Sequence, residues 1–419
     1  MITQAPRGTY DLYGEQVRKW QSIERTIVRL MQDFHYGEIR TPVFEHTELF
    51  QRGVGDTTDI VQKEMYTFLD KGHRSITLKP EGTAGAARAY LEHKMFADPQ
   101  PTKLYYMTPC FRYEKPQAGR DRQFSQFGVE LYGSAEAAAD AEVISIAHEL
   151  LKRLGIRNVT LHINSLGCRD CRARYNEQLK AYFESYRNDL CETCLERLER
   201  NPLRILDCKN PECRKIVEEA PSVLDALDEE CRSHFENVQA YLRGMGIPFV
   251  VDPGIVRGLD YYTRTVFEFV CDEIGAQGTV CAGGRYDHLI EELGGSPTPA
   301  VGFGAGIGRM ILAMEAAGGE TQTSSPLDLY VGSMGDKASI EASSLVYRLR
   351  AQNISAESDL LGRSVKAQMK YANKQGARFT MILGETELET GKAALKNMES
   401  GESRTVEFQN IQEWRNQLS

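Results

Sequence analysis

No apolar run in the sequence approaches the ~20 residues that a membrane-spanning helix requires, so no bilayer partner is expected. The first residues, Met1-Ile2-Thr3-Gln4-Ala5-Pro6-Arg7-Gly8, lack the charged head and apolar core of a targeting peptide, which sets the expectation of a cytoplasmic protein. A long internal repeat and a low-complexity tract are missing as well, which argues against solenoids and disordered linkers. There is no excess of positive charge: the net charge is −9, so a nucleic-acid partner would have to be met by local basic surface rather than by the field of the whole molecule. What remains is ordinary for a soluble globular chain, 41% hydrophobic and 26% charged, and 419 residues suffice for two or three domains with real cores.

The charge is unevenly placed. From Pro326 onward 12 Lys/Arg face 12 Asp/Glu, against 38 and 47 before it, so a neutral tail follows an acidic body. In that body Val17, Trp20, Ile23, Ile27, Leu30, Met31 and Phe34 recur at helical spacing, which predicts a helix from Glu15 to about Phe34. A strand from Ile39 to Glu45, interrupted by Pro42, suits a sheet edge. Short strands at Met65 to Leu69, Ser75 to Leu78, Lys103 to Met107 and Gln126 to Leu131 have few helices between them, so an antiparallel sheet in an α+β domain is expected. A helix from Asp140 to Gly155 leads out, and a helical insertion at about 165–247 follows. The sheet resumes from Phe249 through Phe269, at Gly278 to Cys281 and at Val301 to Ile307, before a helix starting near Arg309. A polar linker at Thr321 to Pro326 then closes a first domain, 1–325. In 326–419 strands and helices alternate: Leu327 to Gly332, a helix, Ser355 to Asp359, a helix, Phe379 to Gly384. That order predicts a small α/β domain with a mainly parallel sheet.

Ten cysteines without a secretion signal point to thiols or metal rather than disulfides. Six fall between Cys168 and Cys213. The pairs Cys168/Cys171 and Cys191/Cys194, with Cys208 and Cys213 as rivals, could place four thiolates on one structural zinc. A group of reduced buried thiols is the other reading.

Two segments carry the chemistry. Arg112, Lys115, Arg120 and Arg122 put four cations into eleven residues around a Pro/Gly turn, as a phosphate-holding loop would, although a lone cluster of this kind is more often a solvated hairpin. Val256-Arg257-Gly258-Leu259-Asp260-Tyr261-Tyr262-Thr263 joins a fixed cation, a carboxylate and two aromatic donors, enough to grip a small polar ligand, or else a turn into an ordinary strand.

With these segments together the sequence resembles the class II aminoacyl-tRNA synthetases, and within them the histidyl branch. Ile39 to Glu45 resembles the first signature, Arg112-Tyr113-Glu114 with the loop to Gly128 the second, and Gly302 to Arg309 the third. Arg257 to Thr263, Ala282 to Asp287, Leu78 to Thr83 and Gly53 to Val61 are similar to segments of the histidyl branch, and Gly362 to Asn373 resembles its anticodon-binding domain. The resemblance implies a homodimer that uses ATP and Mg2+ to activate L-histidine and to transfer it to tRNA(His). It implies that Arg112 holds the α-phosphate, Glu114 the adenine amino group, Arg309 the adenine face and γ-phosphate, and that Arg257 acts beside the α-phosphate. Glu81, Thr83, Gln126, Glu130, Tyr262 and Tyr286 would surround histidine, with Arg120 closing over it. An alternative stays open: a catalytically silent paralogue that senses histidine as a regulatory subunit of ATP phosphoribosyltransferase.

The sequence departs from the pattern in places. Gly308 stands where glutamate usually precedes the arginine, Lys115 and Lys79 stand for arginines, and Asp121 and Ser125 replace residues that are usually aromatic or histidine. In the tail Arg363, Lys366, Lys370 and Lys374 are spaced to share one helical face, either solvated or, with the resemblance beside it, set against tRNA phosphates.

Overall fold

The structure, a computed structural model, describes residues 3–55, 58, 60–117, 119–206, 208, 210–255, 259, 261–275, 278–318 and 327–418. Arg257, with Val256, Gly258 and Asp260, lies outside the described residues, as does the linker expected at Thr321 to Pro326. The chain divides into two compact units, Met1–Gln322 and Thr323–Ser419.

The first unit is organised by an eight-stranded sheet in the order Gly37–Glu38, Thr102–Phe111, Gln123–Tyr132, Ala300–Gly306, Thr279–Arg285, Thr263–Val270, Thr160–Ser165, Val250–Val251. Every neighbouring pair is antiparallel except the outermost pair on each side. Successive side chains of a strand point to opposite faces, and here that alternation separates core from chemistry. On Gln123–Tyr132, Phe127 and Val129 turn to one face and join a core with Ile27 and Leu30 of helix Gly14–Asp33, Val143 and Leu150 of Ala137–Arg153, and Met310 of Ile307–Ala316. Gln126 and Glu130 turn to the other face.

Helix Gly14–Asp33 follows its periodic apolar stripe, with Trp20, Ile23, Ile27, Leu30 and Met31 buried. The single strand expected at Ile39 to Glu45 is instead two pieces. Gly37–Glu38 pairs in the main sheet, and Phe44–His46 belongs to a separate three-stranded sheet with Tyr66–Leu69 and Ser75–Leu78. Pro42, which has no N–H to give a ladder, lies in the gap. Helices Thr47–Val54 and Thr83–Glu92 were not anticipated, the second because its small residues (Ala84, Ala86, Ala87, Ala89) are buried nearly all round and leave no amphipathic stripe.

The segment 165–247 is two things rather than one. Helices Arg169–Glu184, Glu192–Arg200 and Pro211–Glu218 have their own small core, including Tyr175, Leu179, Phe183, Leu198 and Ile205. Helix Glu229–Gly244 instead sends Phe235, Val238 and Leu242 into the core of the main sheet. The insertion proper therefore ends near Leu227.

In the second unit Ala356–Ser358, Leu329–Ser333 and Phe379–Leu383 are parallel, alternating in sequence with helices Asp336–Arg350 and Val365–Lys374. Two further strands, Lys392–Asn397 and Ser403–Glu407, extend the sheet antiparallel and were not expected from the sequence.

Candidate active site

A cavity of about 630 Å3 opens on the second face of the main sheet, lined among others by Glu81, Arg112, Glu114, Arg120, Gln126, Tyr262 and Arg309. Its floor is built of polar groups held in place. Glu81 is buried and accepts the backbone N–H of Thr83 at 2.7 Å and of Ala84 at 2.8 Å, which satisfies the open amides at the start of helix Thr83–Glu92. Gln126 Oε1 accepts the N–H of Gly82 at 2.9 Å. Below them Glu130, with no exposure at all, accepts the hydroxyl of Tyr106 at 3.1 Å on Oε1 and that of Tyr286 on Oε2.

The glycines of the neighbouring strands make this floor possible. A Cβ at Gly302 would lie 2.1 Å from Glu130 Oε2, and one at Gly304 would lie 2.5 Å from Gln126 Nε2. At Gly82 and Gly128 a Cβ would come within 2.2 Å of the Tyr106 ring. Burial pushes the Glu130 carboxyl up to about 8, against the pull of the Tyr286, Thr83 and Tyr106 hydroxyls, and burial also raises Glu81. Burial thus favours the protonated form of Glu130.

The rim is made of arginines. Arg112 Nε donates to the Pro80 carbonyl at 2.9 Å, with its guanidinium 5.4 Å from the Phe124 ring and 3.9 Å from Glu114. Arg120, 40% exposed, pairs with Glu114 at 3.0 Å. Arg309 donates to the carbonyls of Gly119 and Thr279. Burial, and then the nearby Arg120, lower the pKa of Arg309, so two cations share a place that an anion would relieve.

Of the expected residues, Glu81, Thr83, Arg112, Glu114, Arg120, Gln126, Tyr262 and Arg309 come together around the cavity. Glu130 and Tyr286 lie beneath its floor, paired with each other rather than with solvent. Tyr106 was missed. It stands opposite Gly128 on the neighbouring strand, so a bulky residue facing a glycine across a pair was the available signal. No described residue comes within 4 Å of where a Gly308 Cβ would go, and Arg309 is oriented by its two carbonyl acceptors in place of a glutamate. Lys79 is fully buried and reaches the Thr41 carbonyl and hydroxyl at 3.2 Å, Lys115 is exposed, and Asp121 and Ser125 are half-buried. A larger cleft, about 1320 Å3, lies near Cys168, His234 and His288, but its Arg169 and Arg264 are already paired with Glu292 and Glu230.

The expected zinc set is corrected by the fold. Cys168 and Cys171 do not converge with Cys191 and Cys194. The first pair meets Asp228 and Cys231, and the second meets Cys208 and Cys213. Each pair starts a different helix, Arg169–Glu184 or Glu192–Arg200, and this separates them. In the tail, Lys366, Lys370 and Lys374 are exposed on helix Val365–Lys374. Arg363 precedes that helix rather than sharing its face: it pairs with Asp359 at 2.9 Å and stacks 4.4 Å from the Tyr371 ring.

A family model described as histidyl-tRNA synthetase matches residues 8–310, and one described as anticodon binding domain matches residues 328–417. The chain is 54% identical to the histidine–tRNA ligase of Acetivibrio thermocellus, over 98% of this chain and 99% of that one. It is 55% identical to the histidine–tRNA ligase of Clostridium botulinum strain Loch Maree, over 98% of each. The crystal structure of apo Staphylococcus aureus histidyl-tRNA synthetase is similar with a TM-score of 0.84 and 43% identity, over 98% of this chain and 99% of that one.

Proposed function

We propose a reaction for this chain on one premise: it belongs to the histidyl-tRNA synthetase family. It is a histidine–tRNA ligase of the class II type, with an anticodon-binding domain at its C-terminal end. A carboxylate oxygen of L-histidine attacks the α-phosphorus of ATP, the bond to pyrophosphate breaks, and histidyl-adenylate forms. A hydroxyl of the terminal adenosine of tRNA(His) then takes the acyl group and AMP leaves. Magnesium enters with ATP as part of the substrate.

The observation that carries this assignment of roles is a single cavity with a fixed carboxylate and amide floor and a cationic rim. Glu81, Thr83, Gln126 and Tyr262 are assigned to the histidine side, with Glu130 and Tyr286 supporting it from below. A buried polar site of this kind rejects isosteres that leave its groups unpaired. Arg112 is assigned to the α-phosphate, Arg309 to the adenine face and γ-phosphate, and Glu114 to the adenine amino group. For these contacts Glu114 exchanges its hold on Arg120 for the base, and Arg120 is then free to close over histidine. Arg257 is assigned beside the α-phosphate on sequence grounds alone. Charge on the phosphoryl centre is met without proton transfer, by guanidinium groups in a partly enclosed site.

Lys366, Lys370 and Lys374 are assigned to tRNA phosphates, and the protein to a cytoplasmic homodimer. The regulatory-subunit alternative finds no support among the relatives of high identity, which carry the ligase name over the whole length. Histidine-dependent exchange of pyrophosphate into ATP tests the reaction directly. Exchange with histidine and no other standard amino acid is expected, and absence of exchange in folded protein would overturn it. Neutralising Lys366 and Lys370 should reduce the salt dependence of tRNA binding by roughly one unit per lost contact. An unchanged slope and affinity would return the stripe to solvent.

A further inference from the structure

Among the described residues, two groups of metal-ligating side chains lie outside the cavity, in the insertion and at its neck. Cys191, Cys194, Cys208 and Cys213 have their sulfurs within 4.8 Å of one another, as do the donor atoms of Cys168, Cys171, Asp228 and Cys231. We propose that the chain holds two structural zinc ions, one bound by four cysteines inside the insertion and one bound by three cysteines and an aspartate at its neck. The proposal is independent of the reaction assigned above.

Spacing decides between a metal and a disulfide. Four thiolates about 2.3 Å from one zinc in a tetrahedron stand ~3.8 Å apart along each edge. Cys191 Sγ and Cys208 Sγ are 3.8 Å apart, and Cys168 Sγ and Cys171 Sγ are 3.6 Å apart. A disulfide would need about 2.05 Å, and none of the ten cysteines is in one. In the neck group Asp228 Oδ2 lies 3.2 Å from Cys168 Sγ and 3.1 Å from Cys171 Sγ, a few tenths below the ~3.5 Å edge for mixed sulfur and oxygen ligands.

Hydrogen-bond donors already face two of the sulfurs. The Cys191 N–H points at Cys213 Sγ at 3.3 Å. The Asp228 N–H and Arg174 Nη2 point at Cys171 Sγ at 3.1 and 3.4 Å. Donors turned on sulfur are the usual outer partners of a metal-bound thiolate. Cys168, Cys191 and Asp228 each occupy the N-cap of a helix of nine residues or more, where the positive end of the helix stabilises anionic ligands. The approach at the neck is also shaped for the group: Gly167 has φ of 69°, and a Cβ there would fall 2.4 Å from Cys171 Cβ.

Four protein ligands per ion leave no position for water, so both sites are structural, and their binding energy is folding energy. The all-cysteine group brings the starts of Glu192–Arg200 and Pro211–Glu218 together within the insertion core.

The test is elemental analysis of the full chain purified without chelator, with a mercurial titration that releases thiolate-bound zinc to a chromogenic chelator. Two zinc per chain are expected, released in two phases. Cys208→Ser should retain one zinc and histidine-dependent exchange within about threefold, with a lower thermal midpoint. Cys231→Ser should also retain one. Substituting cobalt should give the visible bands of tetrahedral sulfur coordination at both sites. Well under one zinc per chain, with all ten thiols titrating freely in the wild type, would overturn the proposal and leave two groups of hydrogen-bonded thiols. One zinc per chain would overturn the pair, and the variant that abolishes it would say which ion is real. Iron in place of zinc would overturn the identity of the ion. The wild-type titration decides even where a variant fails to fold.

Discussion

At the floor of the cavity Glu81, Gln126 and Glu130 are each held by a backbone amide or a tyrosine hydroxyl, whereas at the rim Arg112, Arg120 and Arg309 rest on carbonyl oxygens and one carboxylate. The polar groups of the floor are held by the protein itself. Its glycines are cut to fit its polar side chains, and little can move without collision. The rim has partners that a phosphate can displace, since a charged acceptor outcompetes a neutral carbonyl for a guanidinium. Selecting a small amino acid demands fixed groups, while following a charge that moves from triphosphate to pyrophosphate demands exchangeable ones. On the proposed roles, the two halves of one cavity divide stability from turnover.

The largest expected separation comes from the rim. Arg112→Ala should lower histidine-dependent exchange by ~10^3 while changing the thermal midpoint by no more than about 2 °C. A large fall in midpoint would show Arg112 to be part of the floor. Arg257→Ala should lower turnover by on the order of a hundredfold or more with little change in ATP affinity. Unchanged turnover would remove Arg257 from its assignment.

At the floor the order of effects reverses. Gly302→Ala places a methyl group 2.1 Å from Glu130 Oε2 and 2.3 Å from the Val129 carbonyl, and the backbone atom cannot step aside. The midpoint should fall by roughly 5 °C, with activity lost mainly through the KM for histidine. A midpoint unchanged by calorimetry would mean that the floor is softer than its contacts suggest.

Protonation gives a finer probe. Glu130 has its pKa raised from 4.5 to about 8 in the folded protein, so the native state binds the extra proton. Its contribution to stability is fully present below about 4.5 and is lost as pH rises through about 8. Glu130→Gln should flatten that part of the stability–pH profile measured by denaturant titration. A variant with the wild-type slope would assign the proton elsewhere. The smallest effect is expected at Gly308→Glu, where no described residue lies within 4 Å of the new Cβ. Midpoint and exchange should stay within about 2 °C and threefold, because Arg309 already has two carbonyl anchors. A large gain in exchange would show that those anchors hold Arg309 away from its working position.

Much of this architecture was legible because its signals are local. The periodic stripe of Gly14–Asp33 and the alternation of strands and helices after Leu327 are short-range patterns, and both are present in the fold. The partition of the cysteines was not legible. C-x-x-C says that two sulfurs can share an ion, but which pair joins which third ligand depends on contacts such as Cys168 with Asp228, sixty residues apart. Arg363 was misplaced because spacing alone extends a helix past its start, and the pairing with Asp359 could not be seen from the stripe. Tyr106 needed the strand register, which sets it opposite Gly128 and two residues from Glu130 on the partner strand.

The chain leaves the catalytic sheet and returns to it at nearly one point: a Cβ at Gly167 would lie 3.0 Å from Leu227 Cδ2, and Asp228 touches both Cys168 and Cys171. A segment whose two ends meet can be inherited as a cassette. It can be lengthened, exchanged or dropped in a single rearrangement of the gene while the strands on either side keep their register. Apart from the cysteines proposed to hold zinc, the residues between 168 and 227 can therefore change in number and kind without shifting the strands of the main sheet.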